Sequence, residues 1–148
     1  MKVEDALQGV NKVFLDTAPV VYYLEASAEF VPVVCPIFHL LDEGRFIGIA
    51  SPVTLAECLV KPKRLGLVDL EREFIDFLTN TEGIVFVSLD ERVAMLAAEM
   101  RSRYQLKLPD ALQIATAMEA GCEAFLTNDS QLKRIPDLRV LVISELER

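Results

Sequence analysis

Short apolar runs alternate with helical periods along the chain, and this alternation constrains the fold more than any other feature. Lys12-Val13-Phe14-Leu15 is a β-prone run that stops at Asp16, and Phe46 to Ala50, Ile84 to Leu89, Ala124 to Leu126 and Leu138 to Ile143 are four more. Between them, Leu67, Leu70, Phe74, Phe77 and Leu78 fall at helical spacing, as do Val93, Leu96, Ala97 and Met100, and Ala111, Ile114, Ala115 and Met118. Strands separated by helices predict an α/β fold with a mostly parallel sheet of about five strands. Thr17-Ala18-Pro19 opens a helix to about Leu24, and residues 30–43 form a second one ended by Gly44. Ser51-Pro52 opens a helix carrying Glu57, which Pro62 is expected to stop near Val60. Asp90 and Pro109 open two further helices, and Gly121 closes the second.

No linker, repeat or low-complexity stretch divides the chain, so its 148 residues are expected to form one domain, 1–148. A hydrophobic fraction of 52% excludes a disordered chain and supports a sizeable core without disulfides or metal. The longest uncharged run, Phe30 to Leu41, is broken by Pro32 and Pro36 and is too short to span a bilayer. No apolar signal-peptide core follows Met1-Lys2-Val3-Glu4-Asp5, so a soluble, cytoplasmic protein is expected. Cys35, Cys58 and Cys122 show no paired spacing and sit in apolar stretches, where free thiols behave as small buried hydrophobes.

A single histidine excludes a multi-histidine zinc site, and His39 lies in an apolar helical run between Phe38 and Leu40. Chemistry here therefore falls to carboxylates. In open α/β sheets ligands bind at the carboxyl ends of the strands. Asp16 directly follows the first strand, and Asp129 follows the Phe125-Leu126 strand by a short turn. Asp110 begins a helix on that same edge, and Glu57 sits on the second turn of the helix after the second strand. Four acids far apart in sequence can thus converge on one edge. Clustered carboxylates raise one another's pKa or recruit a cation. Oxygen ligands alone suit Mg²⁺ or Mn²⁺, which favours phosphoryl transfer by metal-activated water.

Each acid also has a structural role open to it. Asp16 could cap a helix, Asp110 could complement a helix dipole, and Asp129 could shape a Thr-Asn-Asp turn. Glu57 could pair with Lys61 at i,i+4. Lys61, Lys63 and Arg64 are candidate phosphate contacts or a solvated loop. The net charge of −8 offers no general basic surface for nucleic acid.

The chain resembles PIN domains, and most closely VapC-type toxin ribonucleases, over nearly its whole length. The residues that carry the resemblance are Val13-Phe14-Leu15-Asp16-Thr17, Thr54-Leu55-Ala56-Glu57, Leu108-Pro109-Asp110-Ala111-Leu112-Gln113-Ile114-Ala115-Thr116-Ala117, and Phe125-Leu126-Thr127-Asn128-Asp129. The resemblance implies a three-layer α/β/α fold and Mg²⁺- or Mn²⁺-dependent cleavage of RNA. It implies that Asp16, Glu57, Asp110 and Asp129 are the catalytic, metal-binding quartet and that Thr127, the hydroxyl residue two positions before the last acid, contacts the substrate. It further implies a homodimer neutralised by a small antitoxin. Ala18 departs from the pattern, where many relatives carry Ser or Asn.

Three other readings compete with this one. A signalling receiver domain needs an adjacent acid pair after the first strand, and a haloacid-dehalogenase-type phosphatase needs two Asp one residue apart. Asp16-Thr17-Ala18 supplies neither. A catalytically silent PIN-like module that binds RNA or protein is the remaining alternative. Val20 to Leu24 and Phe30 to Leu41 are apolar nearly all round, which predicts a self-associating or antitoxin-binding groove near Tyr22 and Tyr23 unless the two helices bury each other.

Overall fold

A computed structural model describes residues 1–148. Five strands, β1 (Lys12–Leu15), β2 (Ile47–Ala50), β3 (Ile84–Phe86), β4 (Ala124–Thr127) and β5 (Arg139–Val142), form one sheet in the order β3-β2-β1-β4-β5. Every pairing is parallel. Seven helices accompany them: α1 (Val3–Ala6), α2 (Thr17–Leu24), α3 (Val31–Asp42), α4 (Pro52–Leu65), α5 (Val68–Asn80), α6 (Glu91–Tyr104) and α7 (Leu108–Glu119). The expected α/β architecture with a five-stranded parallel sheet is present.

Side chains alternate across a strand, so each central strand feeds two cores. Val13 and Leu15 of β1, with Ala124 and Leu126 of β4, pack under α2, α3, α4 and α5. Phe14 and Phe125 point the other way, stack at 5.1 Å and anchor the layer of α6 and α7. Covering both faces with helices lets parallel strands be apolar throughout, which gives the three layers. Close layering needs a bare backbone at Gly48, where a Cβ would lie 3.0 Å from side-chain carbons of both Leu15 and Leu41.

Several expectations change on folding. Pro62 does not stop α4, which runs on to Leu65 and ends at the left-handed Gly66. A proline one turn from the end removes a single helical bond, and the Leu67 N–H reaches back to the Pro62 carbonyl across the cap. The third strand is shorter than its apolar run, ending at Phe86. Cys58 and Cys122 are buried as expected, but Cys35 is exposed on α3. His39 also points outward, paired with Glu43 at 2.9 Å, at the end of a helix that leads into the start of β2, away from the carboxyl edge.

The apolar helices α2 and α3 largely cover each other. Tyr22 stacks on Phe30 at 4.1 Å, and Tyr23 packs against Phe38 at 4.4 Å and against Phe77 of α5 at 5.6 Å. Contacts within the monomer thus cover part of the face at Tyr22 and Tyr23, and Val21 to Leu24 remain partly exposed. Exposed apolar side chains lie instead along α4 and α5, at Val60, Leu65, Leu67, Val68 and Ile75.

Candidate active site

The chain runs from β1 outward to β2 and β3, then crosses back to lay β4 on the other side of β1. The strand order reverses at β1, and the crevice at the carboxyl ends of β1 and β4 is the natural ligand position in such a sheet. Asp16 directly follows β1 there, Thr127 ends β4, and Asp129 lies two residues beyond it. The two strands are in register, Leu15 beside Leu126, so the residues that follow them emerge side by side.

Asp16 occupies the N-cap position of α2 but makes no capping bond with its side chain. Its Oδ2 instead accepts the Thr127 hydroxyl at 2.8 Å. The same Thr127 oxygen accepts the Asp129 N–H at 3.1 Å. Thr127 is 1% exposed and its hydroxyl is committed to these two bonds, so it positions Asp16 and Asp129 rather than reaching a substrate. Burial raises the Asp16 pKa from 3.8 to about 6, with smaller upward pushes from the charges of Glu57 and Asp110, while the Thr127 bond pulls it down.

Glu57 lies on the same edge, where its Oε1 accepts the Thr17 hydroxyl at 2.7 Å. Thr17 thus provides a polar contact next to Ala18, the position that departs from the family pattern. The i,i+4 pair expected between Glu57 and Lys61 does not form, because Lys61 reaches Glu25 at 2.7 Å. Glu57 is left exposed with a free second oxygen. Asp110 stands half-buried in the first turn of α7. Burial raises its pKa first, and the charges of Asp129 and Glu57 raise it further, against a lowering by Lys107. Asp110 and Asp129 face a common cleft of about 270 Å³. Asp129 also caps the short 3₁₀ turn Ser130–Arg134 through the Gln131 N–H at 3.0 Å.

A buried network unrecognised in the sequence ties these elements together. The Ser51 hydroxyl caps α4 through the N–H groups of Val53 and Thr54 and donates to Gln113 Oε1 of α7. Gln113 Nε2 donates to Thr54 Oγ1 at 2.7 Å, and Thr54 in turn donates to the Leu15 carbonyl at 3.1 Å. Ser51, Thr54 and Gln113 are each no more than 1% exposed, and no buried side-chain polar atom lacks a partner. The end of β1, the start of α4 and the middle of α7 are thereby locked at one node, which sets the spacing of Asp16, Glu57 and Asp110. The sequence signal was a long amide among the small apolar residues of the buried α7 face.

No three Asp, Glu, His or Cys side chains stand close enough in this conformation to hold an ion. The donors nevertheless fit a hard divalent cation: four carboxylates without nitrogen or sulfur, close enough for their charges to raise the Asp16 and Asp110 pKa values. Asp16, Glu57, Asp110 and Asp129 are the residues that could hold it. Of the expected phosphate contacts, Lys61 is tied to Glu25 and Lys63 to Glu71 at 2.5 Å.

The sequence pattern of the PIN domain matches residues 13–138. No curated protein sequence matches significantly. Among solved structures, VapBC2 from Rickettsia felis bound to a promoter DNA fragment superposes with a TM-score of 0.71 at 18% identity, covering 93% of this chain and 99% of that one. FitAcB from Neisseria gonorrhoeae gives 0.63 at 22% identity, with 90% and 99% covered. VapC20 from Mycobacterium tuberculosis, a sarcin-ricin loop cleaving toxin, gives 0.63 at 14% identity, with 76% and 86% covered. These likenesses are of fold. With its sequence pattern running from the first strand to the start of the last, the chain belongs to the PIN domain family.

Proposed function

We propose that this chain is a metal-dependent endoribonuclease, the toxin of a toxin–antitoxin pair, acting through Asp16, Glu57, Asp110 and Asp129 in one domain spanning residues 1–148. The observation that carries the reading is Asp16: a largely buried carboxylate at the switch point, held by Thr127, with Glu57 and Asp110 close enough to raise its pKa and Asp129 bonded to the same Thr127 hydroxyl. Membership of the PIN domain family and the likeness to solved toxins support it. A small antitoxin protein and a second copy of this chain are the partners proposed, and the cytoplasm the location; no helix is long and apolar enough to cross a membrane.

A bound Mg²⁺ or Mn²⁺ supplies charge neutralisation at the scissile phosphate and an acidified water. The chain's residues do the rest. Thr127 fixes one Asp16 oxygen at the carboxyl end of β1. Thr17 aims Glu57 at the same space. With its pKa raised to about 6, Asp16 keeps its proton below that pH, so a cation held there would compete with the proton and would bind more tightly as pH rises through this value.

The test is the purified chain, free of any partner, incubated with structured RNAs and Mn²⁺. Cleavage by the wild type that Asp16→Asn abolishes is the expected result. A wild type that binds but never cuts RNA would instead identify a catalytically silent module.

A further inference from the structure

Where positive charge meets the acidic crevice is decided by pairing rather than by sequence proximity. Lys61, Lys63, Arg103 and Lys133 are all neutralised by carboxylates, Glu25, Glu71, Glu99 and Glu145. Lys107 has no ion pair or hydrogen bond through its side chain, and it lines the cleft that Asp110 and Asp129 face. Arg134 closes the same cleft, and its guanidinium donates only to carbonyls, those of Tyr104 and Gln131, and forms no ion pair.

The loop carrying Lys107 is built rather than loose. Gln105 adopts a left-handed conformation at φ 54°, which turns the chain sharply between α6 and α7. Its N–H bonds the Arg101 carbonyl at 2.8 Å. Arg101 donates to the Leu106 carbonyl and Arg134 to the Tyr104 carbonyl, so two guanidinium groups pin residues 104–106 just before Lys107. Two acids and two cations that form no ion pair thus share one cleft. An acid pair suits a divalent cation, and an adjacent cation pair suits an anion bridging to it.

We propose that Lys107 is the substrate-phosphate contact of this site, receiving a phosphate of a single-stranded RNA backbone beside the Asp110–Asp129 wall, and that Arg134 is the positioning residue that holds its loop. The assignment rests on the nuclease reading above and replaces Lys61 and Lys63 in this role.

Binding is read by fluorescence anisotropy of a labelled mixed-sequence oligoribonucleotide of about twenty nucleotides, using the full chain carrying Asp16→Asn so that it is not cut. KCl is varied from about 50 to about 300 mM. Lys107→Gln should weaken binding roughly tenfold, the size of one charge-assisted contact, and should reduce the log–log salt slope by about 0.7, the value for one phosphate on a single strand. Lys107→Arg should restore most of both. Lys133→Gln removes the same charge from a residue already paired with Glu145 and should change affinity less than about twofold. Equal affinities and slopes for the parent and Lys107→Gln would overturn the assignment alone, as would an equal loss from Lys133→Gln, which would reduce the effect to net charge. A parent that binds no RNA, together with a wild type that cuts none, would overturn the assignment and the nuclease reading together.

Discussion

Replacing Asp16 by Asn should stabilise the metal-free protein, and by an amount that depends on pH. Asp16 holds its proton more tightly in the folded chain than in the unfolded one, with a pKa raised from 3.8 to about 6 mainly by burial. For a group raised on folding, the favourable contribution is complete below the unfolded value and is lost as pH climbs through the folded value. Each tenfold change in proton affinity is about 1.36 kcal/mol, so the displacement from 3.8 to about 6 costs the native state about 3 kcal/mol above pH 7. Asn carries no charge at any pH, and its amide oxygen can still accept the Thr127 hydroxyl. Wild type and Asp16→Asn should therefore be about equally stable near pH 4. By pH 7.5 the variant should lead by about 3 kcal/mol, or roughly 6–12 °C in Tm for a chain of this size. The raised pKa of Asp110 acts on both proteins and largely cancels in the difference. Urea or thermal unfolding in EDTA from pH 4 to 8 measures it. A stability gap that stays constant across this range, or a variant less stable at pH 7.5, would refute the claim that a buried, repelled carboxylate sits at the end of β1.

Three further outcomes follow from the same geometry. Millimolar Mn²⁺ should raise the wild-type Tm, as any ligand confined to the native state does, and Asp16→Asn should reduce that rise; equal shifts in a thermal melt would count against the metal site. Thr127→Val removes the bond that lowers the Asp16 pKa, so the acid limb of the pH–rate profile of RNA cleavage should move to higher pH, with a stability loss of about 1–2 kcal/mol by urea unfolding. Gln113→Leu leaves the buried Ser51 hydroxyl without its acceptor and Thr54 Oγ1 without its donor, and should cost about 2–3 kcal/mol. Adding Ser51→Ala to it should cost less than the two single losses combined, because the orphaned partner is then gone; strict additivity in the unfolding free energies would mean the node is not coupled.

What the sequence determined by itself was everything set by short-range periodicity and chain punctuation. Strand and helix identities follow from side-chain repeat, which is local, and the placing of Asp16 and Asp129 just past strands follows from the same repeat. The Ser51-Pro52 helix start was legible for the same reason, since a cap involves only residues a turn apart. Pro62 was misread because a proline's effect on a helix depends on how close the end already is.

Only the tertiary structure decided which elements became neighbours. Nothing local specifies that β4 lies beside β1, yet that placement brings Thr127 to Asp16 across 111 residues of chain. Ion pairing is decided at the same level. Lys61 looks like a partner of Glu57 along one helix, but Glu25 of the α2–α3 turn reaches it first, and this frees Glu57 for Thr17. Gln113 reads as an ordinary polar residue until α4 closes over it and the hydroxyls of Ser51 and Thr54 become its partners, Thr54 passing the link on to the Leu15 carbonyl of β1. Cys35 turns outward and the Tyr22–Tyr23 face finds part of its cover on α3 and α5 because burial belongs to the packed layers, which no local pattern specifies. Hydrophobic pattern fixes which face of an element must be buried; the sheet order and the long-range hydrogen bonds decide against what.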